Sequence, residues 1–179
     1  LDLQLPDYQR VLRHAPAGFV AMVASVDVLL RFAPQLPAFP NVDVLGLGMW
    51  VTQEKAKDFG VFFAQRQRPE ELAFFLQKPA PARIRELATE NIYLVDTGLW
   101  LFSERALNML MGRSGWDGAR FRGGSVLPYE LYSQFGLALG TMPTARDPEV
   151  NALSCAVVPL PAAEFYHFGT SRQMIESVS

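Results

Sequence analysis

The chain has 179 residues, enough to bury one substantial core, and with half of them hydrophobic and only 19% charged it is not a disordered segment. Sixteen Lys and Arg against 18 Asp and Glu leave a net charge of -2, which gives nucleic acid and anionic membrane surfaces no electrostatic footprint. No apolar run approaches the roughly 20 residues that span a bilayer. The opening Leu1-Asp2-Leu3-Gln4 is neither a signal peptide nor an initiator methionine, so a piece of a longer chain, continuous with further domains, is expected. Cys155 is the single cysteine, which excludes an internal disulfide and a thiolate cluster. Within an apolar run it reads as a buried, inert thiol rather than a nucleophile, and it points to a reducing, cytoplasmic compartment.

In chain order, residues 6–15 read as an amphipathic helix, with Pro6 in its first turn and Tyr8, Val11 and Leu12 on one face. Residues 19–25 are short and continuously apolar, as expected of a buried strand, and the Pro-rich residues 33–40 form a connection. Residues 42–52, 60–65 and 72–77 are further strands, the last two separated by a turn at 66–71. Residues 83–90 are helical, and residues 91–102 form a strand broken near Asp96-Thr97-Gly98. Ser103 caps a helix whose apolar stripe is Ala106, Leu107, Leu110 and Met111.

Residues 112–124 are glycine-rich and polar, a surface loop, and residues 128–139 suggest a second helix. Strands at 153–160 and 164–168 and a short helix from Ser171 complete the reading. The whole is one partial domain over residues 1–179 of the α/β class. It should contain a mixed, mostly parallel sheet with helices on both faces.

There is no P-loop, no GxGxxG, no HExxH and no GxSxG, and His14 and His167 are the only histidines. Polar residues at the ends of apolar strands remain, where open α/β sheets place their ligands. Asp27 follows the strand at 19–25; such a carboxylate either holds Mg²⁺ or ends the strand by bonding its own backbone. Lys78 leaves the strand at 72–77 before Pro79, suited to a sugar phosphate or simply solvated. Asp96-Thr97-Gly98 is either a structural bulge or a close approach of backbone to ligand. Glu164 and His167 are three apart and fall on opposite faces of a strand, and His167 alone reads as structural rather than as a ligand. Tyr129-Glu130-Leu131-Tyr132 reads as a packed helix face or a sugar platform, with Glu130 carried as a further substrate-contact candidate.

The succession FGVFF, FFLQKP, YLVDTGLWLFSERAL, YELYSQFGLALG and LSCAVVPLPAAEFYHFGTS resembles the guanylyltransferase region of the L-fucokinase/fucose-1-phosphate guanylyltransferase proteins. The likeness runs from about Leu5 onward. More distantly it resembles the nucleotide-sugar pyrophosphorylases, which implies an incomplete sheet of the glycosyltransferase-A kind. The resemblance implies that Asp27 is the Mg²⁺ ligand, Lys78 the catalytic sugar-phosphate lysine, and Asp96, Thr97 and Gly98 the sugar-binding turn. Gly169-Thr170 would mark the segment of the second metal carboxylate, with His167 in its place.

The implied reaction joins GTP and fucose 1-phosphate into GDP-fucose and pyrophosphate, by positioning and charge neutralisation. Three departures accompany the likeness. Val26 stands where the family has glycine, His167 where the wider superfamily has Asp, and the glycine-rich GTP loop is expected upstream of Leu1. A non-catalytic sugar-phosphate-binding or scaffold module with a degenerate site is the competing expectation.

Overall fold

A computed structural model describes residues 4–167, with only the backbone at 167. Its centre is β6, Asn91–Ser103, buried along most of its 13 residues because it has strands on both edges and helices over both faces. β3 (Val44–Met49) lies along one edge of it, with β7 (Cys155–Pro159) beyond. The other edge is shared. β4 (Gly60–Gln65) pairs with the first part of β6, Asn91 to Val95, and β1 (Phe19–Ala24) pairs with the last part, Leu99 to Ser103. Outside β4 lies β5 (Phe74–Gln77). A separate two-stranded ribbon joins β2 (Val28–Arg31) to β8 (Glu164–His167).

The sheet is mixed, but the expectation of mostly parallel pairing is overturned. Among the described strands only β3 and β7 run parallel; β1, β3 and β4 are all antiparallel to β6, and β4 is antiparallel to β5. A continuous apolar run reports burial on both faces, and an antiparallel strand between two helical layers meets that condition as well as a parallel one. The link from β4 to β5 is also too short for the crossover that parallel neighbours require.

Helices cover both faces, as expected. On one side α1 (Leu5–His14), α2 (Gln53–Ala56) and α3 (Pro81–Leu87) bring Val11, Ala56 and Ile84 onto Leu45, Leu47, Val61, Phe63, Leu99 and Leu101. On the other side α4 (Glu104–Arg113) and α5 (Pro148–Asn151) pack with Phe135 over an aromatic cluster. There Trp100 lies 5.3 Å from Phe62 and 5.6 Å from Phe75, between ring centroids. Gly46 makes room for this cluster, since a Cβ there would fall 2.5 Å from the Phe62 ring. Such rings supply much of the buried area of the core.

Local chemistry explains the element ends. Ser103 ends β6 and starts α4, its Oγ accepting from the Ala106 N–H. Arg113, at the end of α4, grips Asp147, which in turn caps α5 through the Val150 N–H. The second helix expected at residues 128–139 is shorter and is not α-helical. A π turn over Leu131–Phe135 runs into a 3₁₀ turn over Gly136–Ala138, and the Phe135 N–H donates to the Glu130 carbonyl. Gly136 there lies against Phe75, where a Cβ would meet the ring at 2.9 Å.

β2, α2 and α5 have only four residues each, too few to show a period, and the expectations above omit them. β1 is not buried as expected: Val20 and Val23 are exposed. The expected helix from Ser171, together with Phe168, Gly169 and Thr170, lies outside the described residues. Cys155 is buried, its thiol pushed up to about 12 by desolvation, as an inert core thiol should be. His14 is structural, with Nε2 2.7 Å from the Pro37 carbonyl and its ring edge-on to Phe39.

Candidate functional site

The shared edge of β6 creates the site. β4 stops pairing at Val95 and β1 begins at Leu99, so no described strand lies beside Asp96, Thr97 and Gly98 on that edge. On the opposite edge Leu47 pairs with Leu99 while the next residue, Gly48, pairs with Asp96, which makes Thr97 and Gly98 a two-residue bulge. Into the gap run the carboxyl end of β1, the carboxyl end of β5 and the amino end of β4. They enclose a cavity of about 190 Å³ lined in part by Ser25, Asp27, Lys78, Asp96, Gly98 and Tyr132.

Asp96 is the most constrained member. It is 6% exposed, and its Oδ1 accepts two hydrogen bonds, from the Gly98 N–H at 2.8 Å and the Trp100 indole Nε1–H at 3.0 Å. Burial raises its pKa to about 7, against the pull of those two donors. Tyr132 faces the same cavity; burial first, then the charges of Asp96 and Asp27, hold its phenol well above the ordinary range. Thr97, by contrast, is turned into the core, its hydroxyl donating to the Leu47 carbonyl at 2.7 Å.

Gly98 fixes the turn. Its φ is +76°, and a Cβ would lie 2.6 Å from the Ser25 Cβ. Its carbonyl accepts from the Ser25 N–H at 3.0 Å, and the Ser25 hydroxyl donates to Asp27 Oδ1 at 2.6 Å. The bulge is thus tied through one serine to the exposed Asp27. Gly98→Ala is expected to destabilise the fold by about 1–3 kcal/mol in urea denaturation, because the left-handed backbone and the Ser25 contact both oppose a side chain. An unchanged midpoint would show that the turn relaxes freely.

Lys78 is exposed, with φ at +48°, in the left-handed region that non-glycine residues seldom adopt. Its N–H donates to the Phe59 carbonyl at 2.9 Å, and buried Pro79 follows. Strained backbone of this kind concentrates at functional sites. Asp58, Gln77, Phe59 and Phe165 also line the cavity, and the sequence reading named none of them as site residues. No sequence pattern marks them, since they meet only where the hairpin of β4 and β5 folds back beside β8.

Four of the expected site residues therefore share one cavity: Asp27, Lys78, Asp96 and Gly98. Glu130 does not line it; it is exposed at the start of the π turn, its N–H donating to Gln134 Oε1 at 2.7 Å. The side chain of His167 lies outside the described residues, although its backbone pairs with Val28 next to Asp27. Val26, where the resemblance leads one to expect glycine, is 84% exposed and does not line the cavity.

Among the described residues no three His, Cys, Asp or Glu side chains cluster closely enough to hold a metal. A Mg²⁺ ion asks for less, because it keeps several waters and takes substrate phosphate oxygens alongside one or two carboxylates. Asp27, exposed and lining the cavity, would be the residue to hold one. Buried Asp96 is already committed through Oδ1 and ionises only with difficulty. No helix of the described residues is long and apolar enough to cross a membrane.

No family model matches the chain. It is 44% identical, over 177 residues, to the L-fucokinase/L-fucose-1-P guanylyltransferase of Bacteroides fragilis. The chain is similar to one segment of a longer protein. The alignment takes in 99% of this chain and only 18% of that relative. The likeness noted in the sequence is thus found along nearly all of this chain, and it bears on a fraction of the relative's length.

Proposed function

We propose that this chain forms the sugar-phosphate side of a fucose-1-phosphate guanylyltransferase, which makes GDP-fucose and pyrophosphate from GTP and fucose 1-phosphate. The observation that carries this reading is the convergence of a lysine, a strand-end carboxylate and a glycine-shaped turn on one cavity at the ends of β1 and β5. The identity to the Bacteroides fragilis protein, whose name contains that activity, agrees with it. The fold assignment that goes with the reading is a sheet of the glycosyltransferase-A kind.

In this reading Lys78 receives the sugar phosphate as a point charge, and the bulge offers the sugar hydroxyls Asp96 and the backbone of Gly98. The Tyr132 ring supplies a wall. An oxygen of the sugar phosphate forms the new bond to the α-phosphorus of GTP in line, the bond to pyrophosphate breaks, and pyrophosphate leaves. The work of the protein is placement and charge compensation rather than covalent catalysis. Mg²⁺, when bound through Asp27, would offset phosphate charge. Thr97 contributes indirectly, by anchoring the bulge to β3.

Isotopically labelled fucose 1-phosphate, incubated with GTP, Mg²⁺ and the protein expressed from its natural gene, is expected to yield labelled GDP-fucose. Absence of product from a protein that still binds fucose 1-phosphate would leave the alternative, a binding module. Absence of both would remove the proposal.

A further inference from the structure

Tyr132 is held by its own turn and by two rings. It is the second residue of the π turn over Leu131–Phe135, whose start is fixed by the Glu130 N–H donating to Gln134 Oε1. Turns of this kind are rare and recur at functional sites. The Tyr132 ring lies 6.3 Å from Phe75, nearly parallel at 27°, and 6.0 Å from Trp100, edge-on at 74°. Both neighbours are fully buried, so the ring has little room to turn.

Its hydroxyl is treated differently. A tyrosine that is buried normally finds a partner for its O–H. Tyr93, also half-buried, donates to the Val51 carbonyl at 2.9 Å. The half-buried Tyr132 makes no hydrogen bond to any described residue, and it lines the cavity with Asp27, Lys78, Asp96 and Gly98. Burial and the charges of Asp96 and Asp27 keep its phenol protonated at neutral pH, so it stands there as a donor. Trp100, which stops the ring, also donates to Asp96 Oδ1. One buried indole therefore sets the position of two polar groups of the cavity.

We propose that Tyr132 is a specificity-determining residue whose O–H donates to one hydroxyl oxygen of the sugar bound in this cavity. The inference rests on the sugar-phosphate reading above and names the group that tells one sugar oxygen from its neighbours. With the phosphate held at Lys78, a donor on a clamped ring meets the sugar at a fixed distance along it. A site that bonds a substrate hydroxyl in this way discriminates against the analogue lacking it.

Tyr132→Phe, made in the protein expressed from its natural gene, removes the O–H and keeps both ring contacts. Its Kd for fucose 1-phosphate, read by calorimetry, is expected to rise about three- to tenfold, as loss of one neutral hydrogen bond implies. Singly deoxygenated fucose 1-phosphates then identify the oxygen. For one of them the parent is expected to lose that same factor, and Tyr132→Phe to lose nothing further. Equal affinity of parent and variant for fucose 1-phosphate would overturn the proposal and leave the sugar-phosphate reading standing. So would a variant that loses the same factor against every analogue, since a merely structural effect does not depend on which hydroxyl is absent. That comparison decides the matter even if the variant is less stable. A parent that binds no fucose 1-phosphate would overturn the underlying reading and the proposal with it.

Discussion

Lys78→Ala, made in the protein expressed from its natural gene, is expected to raise the KM for fucose 1-phosphate about ten- to a hundredfold while changing kcat much less. A hydrogen bond between charged partners contributes roughly 1.5–3 kcal/mol, and each 1.4 kcal/mol is about a factor of ten. The contact is to a phosphate that keeps its charge through the reaction, so its loss weakens ground state and transition state alike and falls mainly on KM. Alanine is the informative replacement because the φ of +48° is retained, so the change removes the ammonium without releasing the backbone strain. Lys78→Arg is expected to recover part of the loss. The measurement is steady-state kinetics at saturating GTP. An unchanged KM would move the phosphate elsewhere in the cavity.

Asp96→Asn is expected to stabilise the protein above pH 7 and to flatten its pH dependence between about pH 4 and 7. The folded carboxyl titrates at about 7, whereas an unfolded aspartate titrates near 3.9. Between these values the folded state holds a proton that the unfolded state has released. Stability from this group is therefore fully present below about pH 4 and is lost as pH rises through 7. Three pH units correspond to at most about 4 kcal/mol, with roughly 2–4 kcal/mol the range to look for.

Asparagine carries the same two polar positions as the protonated acid. Its Oδ1 can accept from Gly98 and Trp100 as Asp96 does. Asp43 and Asp147 are held below the ordinary carboxylate range and act in the opposite sense, but at more acid pH, so the window from 4 to 7 belongs to Asp96. Urea midpoints at pH 5 and pH 8 decide the matter. A variant with the same slope as the parent would show that Asp96 ionises freely.

The strands central to the sheet were legible because their burial is written as unbroken apolar runs: 60–65 coincides with β4, and 91–102 lies within β6. The cap at Ser103 was legible for the same local reason, a hydroxyl at the head of an apolar stripe. Pairing direction was not, since burial of both faces is indifferent to it. Nor was the exposure of β1, whose composition describes a setting that these residues alone do not supply. Within the site, Asp27, Lys78 and Gly98 announced themselves as polar or flexible residues at apolar ends. Asp58 and Gln77 did not, because nothing in their local sequence records that β5 folds back beside the bulge. The indole bond of Trp100 to Asp96 was equally hidden, being made across the bulge rather than along a period.

The bulge in β6 contains two residues, and the number matters. Before it, Leu94 faces the aromatic cluster and Val95 the opposite layer; after it, Trp100 and Phe102 again face the cluster while Leu99 and Leu101 face away. Even-numbered positions keep one side of the sheet from end to end because an insertion of two preserves the alternation of a strand. An insertion of one would have rolled the second half of β6 over, sending Trp100 and Phe102 to the wrong layer. The chain has thereby opened a polar notch in its most buried strand without disturbing the hydrophobic code on either flank. Changes of length at this notch are accordingly restricted to even steps.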